Sequence, residues 1–139
     1  MTDRSRRLRT ACGAMALSVV VLNVVLTALW LSVSLPPRPQ SPAVPLALFA
    51  VALVLLVAAP AVKRAILKRY EAEGFDGDHD RFLAALSTAT IVAFALREAA
   101  GLLGFMLALL TGNPWWSWGL SGAALLAMFV DRPVAQGPK

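Results

Sequence analysis

Residues 84–111 form an apolar run with charge at one place only, the adjacent pair Arg97 and Glu98. A helix needs about 20 apolar residues to cross the hydrocarbon core of a bilayer. A run this long therefore commits the chain to a membrane before any motif is weighed. A charge at mid-membrane costs at least about 2.5–3.5 kcal/mol and is tolerated where it faces other helices, a wet cavity or a partner subunit. What Arg97 and Glu98 do at that depth is thus the functional question. Composition agrees: the chain is 58% hydrophobic and 15% charged, against about 25% charged in soluble domains. At 139 residues it is read as one domain, 1–139.

Three further apolar runs accompany the first. Residues 1–10 carry Arg4, Arg6, Arg7 and Arg9, and an apolar run over 11–35 follows, ended by Pro36 and Pro37. Ser32-Val33-Ser34 has the small-x-small form of a signal cleavage site, but a signal h-region is about 7–15 residues, and this run is longer. Ser5-Arg6-Arg7 hints at a twin-arginine signal, yet Arg9 stands where that pattern wants an apolar residue. A retained membrane helix is expected. Prolines between Pro36 and Pro42 make a stiff link that cannot continue a helix. The second span is expected over 43–66, with Pro45 in its first turn, where proline is tolerated. Pro60 should kink that helix or mark its exit from the hydrocarbon. The third span is placed at 82–111 and the fourth at 115–131, joined by the turn Thr111-Gly112-Asn113-Pro114. Trp115, Trp116 and Trp118 read as interfacial anchors. The expected fold is all-α: a polytopic integral membrane protein built as a four-helix transmembrane bundle.

The polar segments carry little chemistry. Residues 67–81 are expected as a polar loop. Asp76, Asp78 and Asp80 have the opening spacing of a calcium loop, but such a loop needs glycine sixth and glutamate twelfth. Arg81 and Ser87 occupy those places. A Gly-Asp turn whose acids favour the start of the next helix is the better reading. His79 has no second histidine beside it and reads as a solvated loop residue. Cys12 excludes an intrachain disulfide and a thiolate metal site, and reads as a small apolar residue. No nucleophile–base arrangement, metal cluster or phosphate loop appears, so neither an enzyme nor a cofactor is expected.

Charge sets the orientation. Of the 13 lysines and arginines, eleven fall in the N-terminal segment, at or after the inner end of the second span, or in the tail. Arg38 alone lies on the opposite side. The positive-inside rule then puts both termini and the middle loop in the cytoplasm, in a plasma (inner) membrane. Because the basic residues flank apolar spans, the partners of the +5 net charge are expected to be anionic lipid headgroups and not nucleic acid.

Consecutive residues of a helix point about 100° apart, so Arg97 and Glu98 are each expected to pair across a helix interface. The surrounding residues Thr90, Ala93, Arg97, Ala100, Gly104 and Ala108 follow spacings of three and four, with Gly101 on the Glu98 side. Small stripes of this kind let membrane helices approach closely. Gly119 and Gly122 offer a similar surface on the fourth span, and Asn23 a packing amide on the first.

The stretch Ala95-Leu96-Arg97-Glu98-Ala99-Ala100-Gly101-Leu102-Leu103-Gly104-Phe105-Met106-Leu107-Ala108 resembles the second helix of the rotary ATP synthase c subunit, the proteolipid. That family has an Ala-Leu-x-Glu-Ala stretch with glycine six residues after the glutamate, where Gly104 stands. The resemblance implies that Glu98 matches an ion-carrying carboxylate. In size the chain resembles small four-helix bacterial membrane proteins, a likeness that brings no function. The expected function is an oligomerising or accessory subunit of a membrane complex, homo-oligomeric or part of a larger assembly, with Arg97 and Glu98 as an intramembrane polar pair. Two alternatives stand beside it: a c-subunit-like proton or ion translocator with Glu98 as carrier, and a lipid- or quinone-binding membrane subunit.

Overall fold

A computed structural model describes residues 3–33, 41–72 and 79–131. Four helices follow in order: α1 (Asp3–Ser32), α2 (Ala43–Ala72), α3 (His79–Thr111) and α4 (Trp115–Val130). The described residues contain no strand, and the fold is an all-α helical bundle. The proline-rich link, the acidic turn with Asp76 and Asp78, and the tail after Asp131 lie outside the described residues.

The helices outrun the apolar spans that seed them. Residues 67–72 continue α2 and residues 79–81 already belong to α3, so much of the expected polar loop is helix. Pro60 does not end α2, which runs on for another three turns. α1, α2 and α3 are each long and apolar enough to cross a membrane. α4 has 16 residues, about 24 Å at 1.5 Å per residue, and falls short of the ~30 Å hydrocarbon core.

α3 is the axis of the bundle. It packs against α1, α2 and α4, whereas the backbones of α1 and α2 do not come close to each other among the described residues. Its buried face explains why. Thr90, Ala93, Arg97, Ala100, Gly104 and Leu107 alternate steps of three and four and are all buried. This is the seven-residue repeat that keeps one seam facing its neighbours at a shallow crossing angle. α1 answers with Cys12, Val19 and Leu26, also buried and also seven apart. α2 contributes Ala52 and Ala59. Most seam residues are small, which is what association without a hydrophobic driving force requires.

Two clusters form the core. Ala52, Ala100, Leu107 and Leu120 join α2, α3 and α4. Cys12, Phe94 and Met128 join α1, α3 and α4 toward the other end. Gly104 fixes the closest approach, since a Cβ there would lie 2.8 Å from Leu120 Cβ and 3.2 Å from the Trp116 carbonyl. The α3–α4 turn needs Gly112, whose φ of 67° is left-handed. Asn113 Oδ1 then accepts the Trp115 N–H at 3.1 Å, satisfying a donor that the new helix leaves open.

The two ends differ in chemistry. Trp30, Trp115, Trp116 and Trp118 share one end and are all exposed. Trp116 meets Phe49 edge-on at 5.2 Å, and Trp115 meets Trp118 at 5.1 Å. The opposite end carries Arg6, Arg7 and Arg9 of α1, Lys68 and Arg69 of α2, and Arg81 of α3.

Candidate functional site

Arg97 and Glu98 do not pair with each other. Their side chains leave α3 toward different neighbours, as consecutive helical positions must. Arg97 is 4% exposed, and its Nη2 donates to Asp131 Oδ2 at 2.6 Å. Asp131 caps the end of α4 and also accepts from Lys63 Nζ of α2 at 2.9 Å. One carboxylate thus joins three helices. Arg97 also lies over the Phe94 ring, its guanidinium carbon 5.9 Å from the centroid. Arg97 Nε and Nη1 have no hydrogen-bond partner among the described residues.

Glu98 turns the other way. It is half-buried, and its Oε1 accepts a hydrogen bond from the Ser18 hydroxyl of α1. The result is two cations and two carboxylates, Lys63, Arg97, Glu98 and Asp131, on one stretch of the bundle. Their nominal charges cancel, which limits the cost of holding them out of water.

The shortness of α4 produces this arrangement. Counted from the α3–α4 turn, Asp131 is sixteen residues past Trp115 and Arg97 fourteen before Thr111. Both therefore stand about 21–24 Å from the turn. Phe49 fixes the height of α2 against Trp116, and Lys63 lies about 21 Å farther along α2. The three charges meet because three helix lengths agree.

Above this level α1 and α4 are joined by a polar ladder. Ser117 Oγ donates to Asn23 Oδ1 at 2.8 Å, and Asn23 Nδ2 donates to the Val19 carbonyl at 2.8 Å. Trp118 Nε1 donates to Thr27 Oγ1 at 3.2 Å. Asn23 therefore bonds both across to α4 and along its own helix.

The remaining residues singled out from sequence divide clearly. Thr90, Ala93, Ala100, Gly101, Gly104 and Ala108 are all buried. A Cβ at Gly101 would sit in ordinary contact with Val19 and Ser121. Gly119 and Gly122 depart from expectation: a Cβ at either would meet nothing within 4 Å. α4 turns Ser117, Leu120, Ser121, Ala124 and Met128 inward instead, so its close contact with α3 depends on Gly104 and not on its own glycines.

Lys63, Asp131 and Ser18 were missed by sequence reasoning as members of the site. Lys63 and Asp131 lie where the second and fourth spans are expected to leave the membrane, and nothing in the sequence singles out Ser18. The available signal was the arithmetic of helix lengths, which puts Asp131 level with Arg97. Among the described residues no group of three or more His, Cys, Asp or Glu could hold a metal ion.

The fold and its apolar helices define a membrane-type helical bundle with a charge-balanced interior. No protein-family model, no curated protein and no solved structure matches the chain.

Proposed function

We propose that this chain is a small multi-pass membrane protein that serves as an oligomerising or accessory subunit of a membrane complex. It sits in the plasma (inner) membrane with both termini cytoplasmic. The observation that carries the reading is the exposed outer face of α2, a helix that packs on α3 and makes no close approach to α1. On α2 that face carries Ala47, Ala50, Val54, Val57 and Ala61, all exposed and spaced by alternating threes and fours. A seam of alanines and valines in that rhythm suits helix association in lipid. Arg97 and Glu98 hold the protomer together, and association falls to the outer seam of α2. The tryptophan end faces outward and the basic end inward, following the positive-inside rule.

Single cysteines along α2 from Ala47 to Ala61, in a Cys12→Ser background, test the reading by oxidative crosslinking in native membranes. Self-association predicts crosslinks that recur every three to four residues. An accessory role predicts a second membrane protein retained at fixed stoichiometry after gentle solubilisation. A single-copy particle with neither crosslinks nor a retained partner refutes both. Ser41→Cys should label from outside intact cells and Arg69→Cys only after permeabilisation.

A further inference from the structure

We infer that the cleft between the first half of α1 and the end of α4 holds one acyl chain of an anionic phospholipid, with the lipid phosphate on Arg9. The cleft encloses about 550 Å3, within the range of small-molecule sites. Arg9, Cys12 and Gly13 line it from α1, Leu125 and Met128 from α4, and Phe94 of α3 closes its floor.

The cleft has a structural cause. Gly13 has no side chain, and a Cβ there would meet nothing within 4 Å. α4 ends at Val130, so the first turns of α1 have no α4 beside them. Below that opening the walls are apolar; at its mouth stands one cation. Arg9 makes no hydrogen bond or ion pair through its side chain among the described residues.

Depth selects the occupant. Ser18 marks the level of Glu98, which lies about 20 Å along α3 from Thr111, and Arg9 is about 13 Å farther along α1. Arg9 therefore sits about 33 Å from the tryptophan-end turn, just beyond the ~30 Å hydrocarbon core. A phosphate belongs at that level and an acyl chain belongs beneath it. A zwitterionic headgroup would set its own cation against Arg9, whereas an anionic one complements it. The second cleft, nearer the tryptophan end, is lined by Asn23, Leu31, Trp118 and Gly122 among others and has no charged side chain. It serves as an internal control. The inference does not depend on whether the chain self-associates.

The test is native mass spectrometry of the full chain released from detergent micelles containing phosphatidylglycerol or phosphatidylcholine with identical acyl chains. Wild type should retain one phosphatidylglycerol in preference to phosphatidylcholine. Arg9→Gln should weaken that retention about fivefold, as expected for one arginine near an anionic surface. Arg6→Gln removes the same charge from an exposed position outside the cleft and should leave retention unchanged. Gly13→Phe fills the cleft and should remove the bound lipid, whereas Gly122→Phe should not. Equal retention of the two lipids, or equal losses for Arg6→Gln and Arg9→Gln, would overturn the assignment. So would a dimer that Gly13→Phe converts to monomer, since a second copy would then occupy the cleft.

Discussion

Asp131→Asn probes the site most directly, because it removes charge while keeping shape. Arg97 would be left 4% exposed with its one charged partner gone. Breaking a buried ion pair from one side costs about 3–5 kcal/mol, and an unpaired arginine in a membrane helix costs about 2.5–3.5 kcal/mol on insertion scales. The two figures overlap near 3 kcal/mol, more than a hundredfold in the folded-to-unfolded ratio. Lys63 contributes less. Its side chain is 19% exposed, against 5% for Arg97, so Lys63→Met should cost less than about 1 kcal/mol. Arg97→Met combined with Asp131→Asn removes both charges and should recover most of the loss, to within about 1 kcal/mol of wild type. Steric-trap or dodecyl-sulfate unfolding in mixed micelles measures these three variants and the Arg97→Met single. A loss below about 1 kcal/mol for Asp131→Asn would refute the clasp, as would a double variant whose loss equals the sum of the singles.

Two further variants test the packing. Gly104→Ala places a Cβ 2.8 Å from Leu120 Cβ and should cost about 1–3 kcal/mol, read as a fall in thermal stability in detergent. Gly119→Ala meets nothing and should be neutral or slightly stabilising, by up to about 1 kcal/mol. A double-mutant cycle on Asn23→Ala and Ser117→Ala should give a coupling near 0.6 kcal/mol, the average for hydrogen bonds between membrane helices. Zero coupling would mean that the bond is not formed in the folded protein.

The bundle was legible because the constraints that build it are local. Apolar run length, the prolines of the link and the Gly-Asn-Pro turn fix helix number and order without reference to contacts. The stripe from Thr90 to Gly104 was legible for the same reason, since three-and-four spacing defines a helix face wherever its partner lies. Partnerships were not. Asp131 and Lys63 carry the same composition signal as any charge flanking a span. Only the relative height of the helices shows that they reach inward to Arg97. Gly119 and Gly122 mislead in the opposite direction: their spacing suits a packing surface, but α4 is rotated by the larger demands of Leu120, Ala124 and Met128. Helix boundaries also drifted, because charged residues such as Lys68 and Arg69 sustain a helix beyond the hydrocarbon as readily as apolar ones do within it.

The height of α2 is something the charges help to specify. In lipid, the apolar surface of one helix gains little by facing another helix instead of acyl chains, so packing alone opposes axial sliding weakly. Small seams are especially permissive, because a shift by one heptad places alanine where alanine stood before. Ala93 and Ala100 on α3, and Ala52 and Ala59 on α2, are spaced in just that way. A heptad slip of α2 would leave those alanine contacts nearly intact, yet it would part Phe49 from Trp116 and carry Lys63 about 10 Å from Asp131. α2 and α4 have few other contacts, so the Lys63–Asp131 bond sets their alignment together with the Phe49–Trp116 contact, whereas the short turn after Thr111 already fixes α4 against α3. Buried polar groups are best attested in this role of setting register. On this account the paired charges at mid-chain are retained for the geometry they enforce. The stability they lose to desolvation is then the cost of holding α2 at one height against α3 and α4.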